Sequence, residues 1–369
     1  MSTASVSTHG ERRFPCTSCG AEVSFAPGVS MLACPYCGET TDIPLDDDAR
    51  VEELCLERTL RELDECADTV DRIVSHCDTC GANVEFPANV TSHACPFCGS
   101  NVVAVGRSIK QILPGAVLPF GIDQPRAMAA YAAWIRKRRF APRDLKTMAT
   151  LNARLTGIYL PYWTFDADVN TDYRGQRGDA YYVTQTYSTM VNGKSVMRTR
   201  QVRKIRWSSV RGRVFDRFDD VLIIAADSVP RATLEKLGPW PLKSLVPYND
   251  SFLAGFSAES YQVTLPVGFA AARTLMEQQI QITIRRDIGG DEQRITQMVP
   301  HYANMTFKHI LLPVWIMAYR YHDKTFQVLV NGRTGEVIGK HPYSWFKISS
   351  LVVVMLIVFA VIILIMSMR

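Results

Sequence analysis

The chain has 369 residues, 47% apolar and 21% charged, an ordinary folded-protein composition that excludes a low-complexity or disordered chain. Its net charge of +5 is too small to demand a polyanionic partner and too small to forbid one. Ten cysteines, eight of them in Cys-x-x-Cys pairs, point to metal binding in a reducing compartment.

The N-terminal stretch MSTASVSTHGERRF carries no apolar run, so no secretion signal is expected. A repeat follows. FPCTSCGAEVSFAPGVSMLACPYCG returns as SHCDTCGANVEFPANVTSHACPFCG. Cys16, Cys19, Cys34 and Cys37 map onto Cys77, Cys80, Cys95 and Cys98 at a constant offset of 61 residues. Each Cys-x-x-Cys-Gly knuckle aims two thiolates at one ion, and its glycine is free to take a positive φ. Two knuckles supply the closed tetrahedral set of a structural zinc, so two zinc ribbons are expected, at 12–45 and 76–106. Iron–sulfur ligation is the weaker alternative for the same four thiols. The expected cofactors are two structural Zn²⁺ ions. Such sites contribute about 10–16 kcal/mol of apparent binding energy, more than so little core could supply.

Residues 46–75 read as an acidic helical linker. Leu56, Leu60, Leu63, Ala67, Val70 and Val74 alternate spacings of four and three, which predicts a narrow apolar seam. It would pack on its own ribbons or on another chain. Cys55 and Cys66 would be small core residues of this helix.

Residues 110–340 predict an α+β domain with an antiparallel sheet. Helices are expected at 123–140 and 266–286. Strands are expected in GIYLPYWTFDADVNTDY, AYYVTQTYSTM, SVMRTRQVRKIRW and ILLPVWIMAYRY, which are rich in β-branched and aromatic residues. Asn192-Gly193 and NGRTG at 331–335 read as hairpin turns. LPYW at 160–163 echoes LPVW at 312–315, too short a match to establish two related halves.

Two segments are strongly basic. Arg198, Arg200, Lys204 and Arg206 fall at even spacing and share one face of a strand. Arg136, Lys137, Arg138 and Arg139 follow one another near the end of a predicted helix. Both read either as solvated faces or as contacts for lipid headgroups or a partner.

The C-terminus is apolar. Residues 348–368 span about 30 Å as a helix, one hydrocarbon thickness, which predicts a single transmembrane helix. Tyr343, Trp345, Phe346, Lys340 and Lys347 precede it, and Arg369 is the only charge beyond it. The positive-inside bias therefore places the N-terminal bulk in the cytoplasm.

No catalytic residue and no small-molecule substrate are expected. A closed four-sulfur site leaves no position for metal catalysis. GKS at 193–195 lacks the earlier glycine of a phosphate loop, since Ser188 stands there. The ribbons lack the basic residues that phosphate binding needs, which counts against nucleic acid.

Together, two CxxCG ribbons, ILPGAVLPF, GIYLPYWTFD, LLPVW, NGRTGEVIGK and a terminal span occur in this order. That order resembles a family of bacterial membrane-anchored double-zinc-ribbon proteins of a phage-shock/SPFH membrane-stress module. Chains of this type also attract primosomal-helicase-like names because of the zinc ribbon. The resemblance implies a membrane anchor working with an SPFH-type protein and a phage-shock-type coat protein. It carries over the eight CxxC ligands; the basic strands at 194–213 look like an insertion. The reading is a non-enzymatic adaptor. Its ribbons would form the outermost recognition head, and its α+β domain would lie between head and membrane. The rival reading is a membrane-tethered zinc-ribbon nucleic-acid-binding protein.

Deleting residues 348–369 is expected to move the protein into the soluble fraction, because basic faces alone give only salt-sensitive adhesion. Fractionation in high salt checks this. A truncated chain that stays with the membrane would show a second attachment.

Overall fold

A computed structural model describes residues 14–44, 51–65, 70–76, 83–85, 92–94, 101–103, 107–142, 155–191, 194–321 and 324–367. In chain order its strands are β1 (Ser24–Ala26), β2 (Met31–Ala33), β3 (Thr40–Asp42), β4 (Leu54–Cys55), β5 (Val70–His76), β6 (Asn83–Glu85), β7 (Ser92–Ala94) and β8 (Asn101–Val103). They continue with β9 (Arg107–Gln111), β10 (Ala116–Val117), β11 (Thr156–Val191), β12 (Lys194–Ile224), β13 (Val246–Pro247), β14 (Ser257–Ala258), β15 (Glu292–Tyr321), β16 (Lys324–Asn331) and β17 (Val337–Gly339). The main helices are α1 (Leu56–Glu65), α2 (Gln124–Arg136), α3 (Leu265–Ile288) and α4 (Trp345–Ser367). The fold is α+β around a large, mostly antiparallel sheet.

The long strands β11 and β15 form the centre of that sheet, with Leu160 directly opposite Leu312. The two echoed motifs thus face each other. Around this pair the topology repeats itself. The unit β10–α2–β11–β12 corresponds to β14–α3–β15–β16. Ala116 of β10 pairs parallel with Ile310, and Ser257 of β14 pairs parallel with Ile158. The related halves hinted at by LPYW and LPVW are therefore visible as topology.

One sheet face carries α3, which buries Gly268, Ala272, Met276, Ile280, Ile284 and Ile288 at a spacing of four, one stripe of a helix. Trp163, Phe165, Val169 and Phe307 of the sheet meet it. Gly268 is needed there, since a Cβ would stand 2.9 Å from Trp163. α2 starts at Asp123, whose side chain accepts from the Arg126 amide, and buries Ala127, Tyr131 and Ile135. The opposite face holds Ile158, Leu160, Tyr162, Ile310, Leu312 and Val314, covered by Val229, Leu234 and Leu237.

β11 outruns its neighbour. Its pairing with β15 ends at Gly178 and Glu292, whereas its pairing with β12 continues to Val191 and Lys194. Residues 179–191 and 194–206 thus form a two-stranded arm, about 43 Å long at about 3.3 Å per residue. The Val191–Lys194 pair leaves two residues for the predicted Asn192-Gly193 turn, which lies outside the described residues.

The linker differs from expectation. Of residues 46–75 only α1 is helical among the described residues. Leu54–Cys55 is captured instead by the edge of β15 at Thr306 and Phe307, and Cys55 is exposed rather than core. Val70–His76 is a strand between β6 and β9. Its β-branched residues fit a strand, and β9, its partner, lies some thirty residues further along the chain. Cys66 and the acidic run 46–48 lie outside the described residues.

One buried cation ties this linker to the sheet. The Lys308 ammonium lies 2.8 Å from Asp220, 3.0 Å from Glu53 and 3.5 Å from Asp166. A bulge in β11 beside Asp166 and a positive φ at Asp220 aim the two aspartates at it. Burial alone would lower the Lys308 pKa, but Asp220 and Glu53 outweigh it and hold the ammonium above the ordinary lysine range. Burial would raise Glu53, yet Lys308 and Thr306 hold it below the ordinary glutamate range.

Lys308→Met should destabilise the protein by about 3–5 kcal/mol, because it strands carboxylates that share one cation. Denaturant unfolding measures this. Since the Glu53 pKa is depressed, its link is present above the ordinary glutamate range and is lost as pH falls through the depressed value. The variant should lack that acid-side loss; an unchanged profile would remove Lys308 as the tie.

Candidate metal centre

The first ribbon is built locally. β1, β2 and β3 form a small antiparallel sheet, and one knuckle precedes β1 while the other follows β2, so both stand at the open end of that hairpin. In the first knuckle the Gly20 amide donates to the Cys16 carbonyl at 2.9 Å; in the second, Gly38 donates to Cys34 at 3.1 Å. Both glycines have the positive φ that the sequence implied, 73° and 75°.

These turns bring four sulfurs together. Cys16 Sγ lies 3.5 Å from Cys37 Sγ, and Cys19 Sγ lies 3.6 Å from Cys34 Sγ. All four lie within 4.8 Å of one another. A tetrahedral zinc with Zn–S bonds of about 2.3 Å separates its sulfurs by about 3.8 Å, so the donor set fits that ion. The electrostatics point the same way. The Cys37 and Tyr36 amides pull the Cys34 thiol down to about 6 against its burial. The Glu39 amide pulls on Cys37, but the neighbouring sulfurs of Cys16, Cys19 and Cys34 push it up to about 12. Four thiolates this close repel one another, and a dication removes that repulsion.

The expected placement of this ribbon is corrected. It is not an outermost head; its apolar side is part of the domain core. Cys16, Val23, Phe25, Leu32, Cys34 and Ile43 are buried with Phe120, Tyr159, Phe252 and Trp315. The Phe25 ring meets Phe252 edge-on at 5.3 Å, and its amide donates to the Ala254 carbonyl at 2.9 Å. Gly28 donates to the Phe120 carbonyl at 2.9 Å. Gly255 permits the approach, with φ +80° and only 2.7 Å between its would-be Cβ and Ser24. Cys19 and Cys37 stay exposed, as does Tyr36. The motif signalled the ligands, but nothing in it signalled the docking side. The ligands of the expected second ribbon, Cys77, Cys80, Cys95 and Cys98, lie outside the described residues.

Arg198, Arg200, Lys204 and Arg206 do share one face, on the protruding arm and exposed. They stand opposite Tyr187, Gln185, Tyr181 and Asp179. Arg200 donates to Gln185 at 3.0 Å and lies over the Tyr187 ring, while Arg206 lies over Tyr181. A second group of possible ligands, Asp166, Asp219 and Asp220, adjoins the Lys308 ammonium described above.

α4 supplies the other functional element. Trp345–Ile363 is long and apolar enough to cross a membrane, and none of it is buried in the fold.

No protein-family model matches the chain, and no solved structure matches it. It is similar to YdjG, an uncharacterized protein of Bacillus subtilis (strain 168), with 24% identity over 345 residues. The alignment covers 91% of this chain and 92% of that protein.

Cys34→Ser should remove one metal equivalent and lower the melting temperature of the folded domain as well, because Cys34 is buried in the shared core. Elemental analysis and a thermal melt of the same preparation check both. Metal loss with an unchanged melt would separate the ribbon from the core energetically.

Proposed function

We propose that this protein is a non-enzymatic membrane-anchored adaptor that recruits cytoplasmic partner proteins to a bacterial inner membrane in an envelope-stress response. The observation that carries the reading is the combination, in one chain, of a closed four-sulfur centre with an apolar helix left uncovered by the fold. The closed centre suits a structural metal rather than a catalytic one. The uncovered helix suits a bilayer, with the bulk of the chain in the cytoplasm.

Recruitment is assigned to the ribbon region. The first ribbon spends its apolar side on the domain core, so the second ribbon is the better candidate for partner contact. Both ribbons hold structural Zn²⁺, about two ions per chain by the four-thiolate rule. The family resemblance names an SPFH-type protein and a phage-shock-type coat protein as the recruits.

One feature favours the rival reading. Between residues 179 and 206 six basic residues stand against one acidic residue, Asp179. The arm thus holds charge equal to the whole chain's net +5. A two-stranded ribbon of this width fits the major groove of DNA, and its tyrosines could stack on bases. Nucleic acid would then bind through the arm rather than the ribbons.

Pull-down from solubilised membranes, repeated with Cys77→Ser and Cys80→Ser, separates these readings. Capture of the partner proteins should be abolished while the protein stays in the membrane, since ribbon folding and helix insertion use different residues. Unchanged capture would move the partner surface to residues 110–340. Recovery of nucleic acid, lost steeply with salt, would favour the rival.

A further inference from the structure

The fold joins two segments that lie about two hundred residues apart in the chain, at the root of α4. The Ser344 amide donates to the Phe140 carbonyl at 2.8 Å. The Lys347 ammonium donates to the Ala141 carbonyl at 2.6 Å and to the Arg139 carbonyl at 3.4 Å. His341 packs edge-on against Trp134, and the Tyr343 ring lies tilted against His341. The end of α2 is therefore clamped to the first turn of α4.

This clamp fixes the position of a charge. Arg136, Lys137, Arg138 and Arg139 follow one another there, all exposed. Among the described residues, Lys137, Arg138 and Arg139 have no carboxylate partner; Arg138 lies 4.5 Å over the Trp134 ring. Lys347 donates to two backbone carbonyls and so holds the clamp, while the four basic residues of the run stay exposed. Phe140, Tyr343, Trp345 and Phe346 are exposed beside it. Aromatic rings next to cations at the end of an apolar helix form the arrangement that suits a membrane–water interface.

From this geometry we propose that Arg136–Arg139 form a binding surface for anionic lipid headgroups around the root of α4. The proposal rests on the membrane reading of α4. The polar layer on each side of a bilayer is only about 5–7 Å deep, and Phe140 is hydrogen-bonded to the residue preceding the helix. Arginine side chains on that turn reach the layer without any movement of the domain. The arm is placed differently. Met317, Val328 and Gly339, which lead into α4, are paired beside the start of β11. Arg198–Arg206 pair with residues 179–187, about 75–100 Å further along the β11 contour at about 3.3 Å per residue. The two basic segments, alike in sequence, thus lie at opposite ends of the sheet, and the lipid surface is the helical one.

The full-length protein in phosphatidylcholine vesicles tests this with spin-labelled phosphatidylglycerol and spin-labelled phosphatidylcholine as probes. The motionally restricted fraction should favour phosphatidylglycerol by about fivefold or more at low salt, the ratio given by one basic contact of about 1 kcal/mol. Changing Arg136, Lys137, Arg138 and Arg139 together to Gln should bring the ratio to about one, with the protein still resistant to carbonate extraction. The matching change of Arg198, Arg200, Lys204 and Arg206 to Gln should leave it unaltered. Equal restriction of both lipids by the native chain, or a preference lost only in the arm variant, would overturn the proposal. Carbonate release of the native chain would instead overturn the membrane reading itself.

Discussion

The antiparallel pairing of β11 with β15 is the constraint on which the remaining structure depends. With Leu160 opposite Leu312, it aligns the two halves of the domain and sets both layers of the core. One face then receives α2 and α3, and the other receives the turns around Leu234 and Leu237. Because the strands are long, the same register also decides where everything else attaches. Near Thr306 it captures β4, near Trp315 it meets the aromatic cluster that receives the first ribbon, and past Met317 it leads through β16 and β17 to α4. A one-residue slip would exchange the two faces, so the hydrophobic pattern holds the register firmly.

Docking of the first ribbon changes what an ion at its four sulfurs would stabilise. An isolated ribbon has too little apolar area to fold without an ion, and zinc supplies that stability. Here Phe25 and Leu32 also enter a core that the sheet and α2 complete. The four-sulfur centre and the domain core therefore share one apolar surface. The linker reinforces this, since Glu53 joins Asp166 and Asp220 around Lys308 a short way along the same sheet.

Charge is distributed along the sheet in a way that the total conceals. Glu53 of the linker meets Lys308 beside the sheet's middle, a basic arm leaves one end, and a basic turn with aromatic neighbours is clamped to the first turn of the apolar helix at the other. The root of the apolar helix thus lies far, along the strand contour, from the basic arm.

Sequence alone determined the features whose physics is local. Cys16-x-x-Cys19 and Cys34-x-x-Cys37 place thiols side by side within one turn, so the ligand set was legible from spacing. The apolar C-terminal run, a helix at 266–286 and the β-branched strands around Asn192-Gly193 were legible for the same reason: each pattern reflects its own backbone geometry. The linker misled, because a seam at helical spacing from Leu56 to Val74 also contains Val70, Ile73 and Val74, and a strand forms there once β9 is available to pair with it. Docking of Phe25 against Phe252, capture of Glu53 by Lys308, and the clamp of Lys347 on Ala141 were decided only in three dimensions. Each joins residues more than a hundred positions apart, and their contact energy exists only after the β11–β15 register has brought them together.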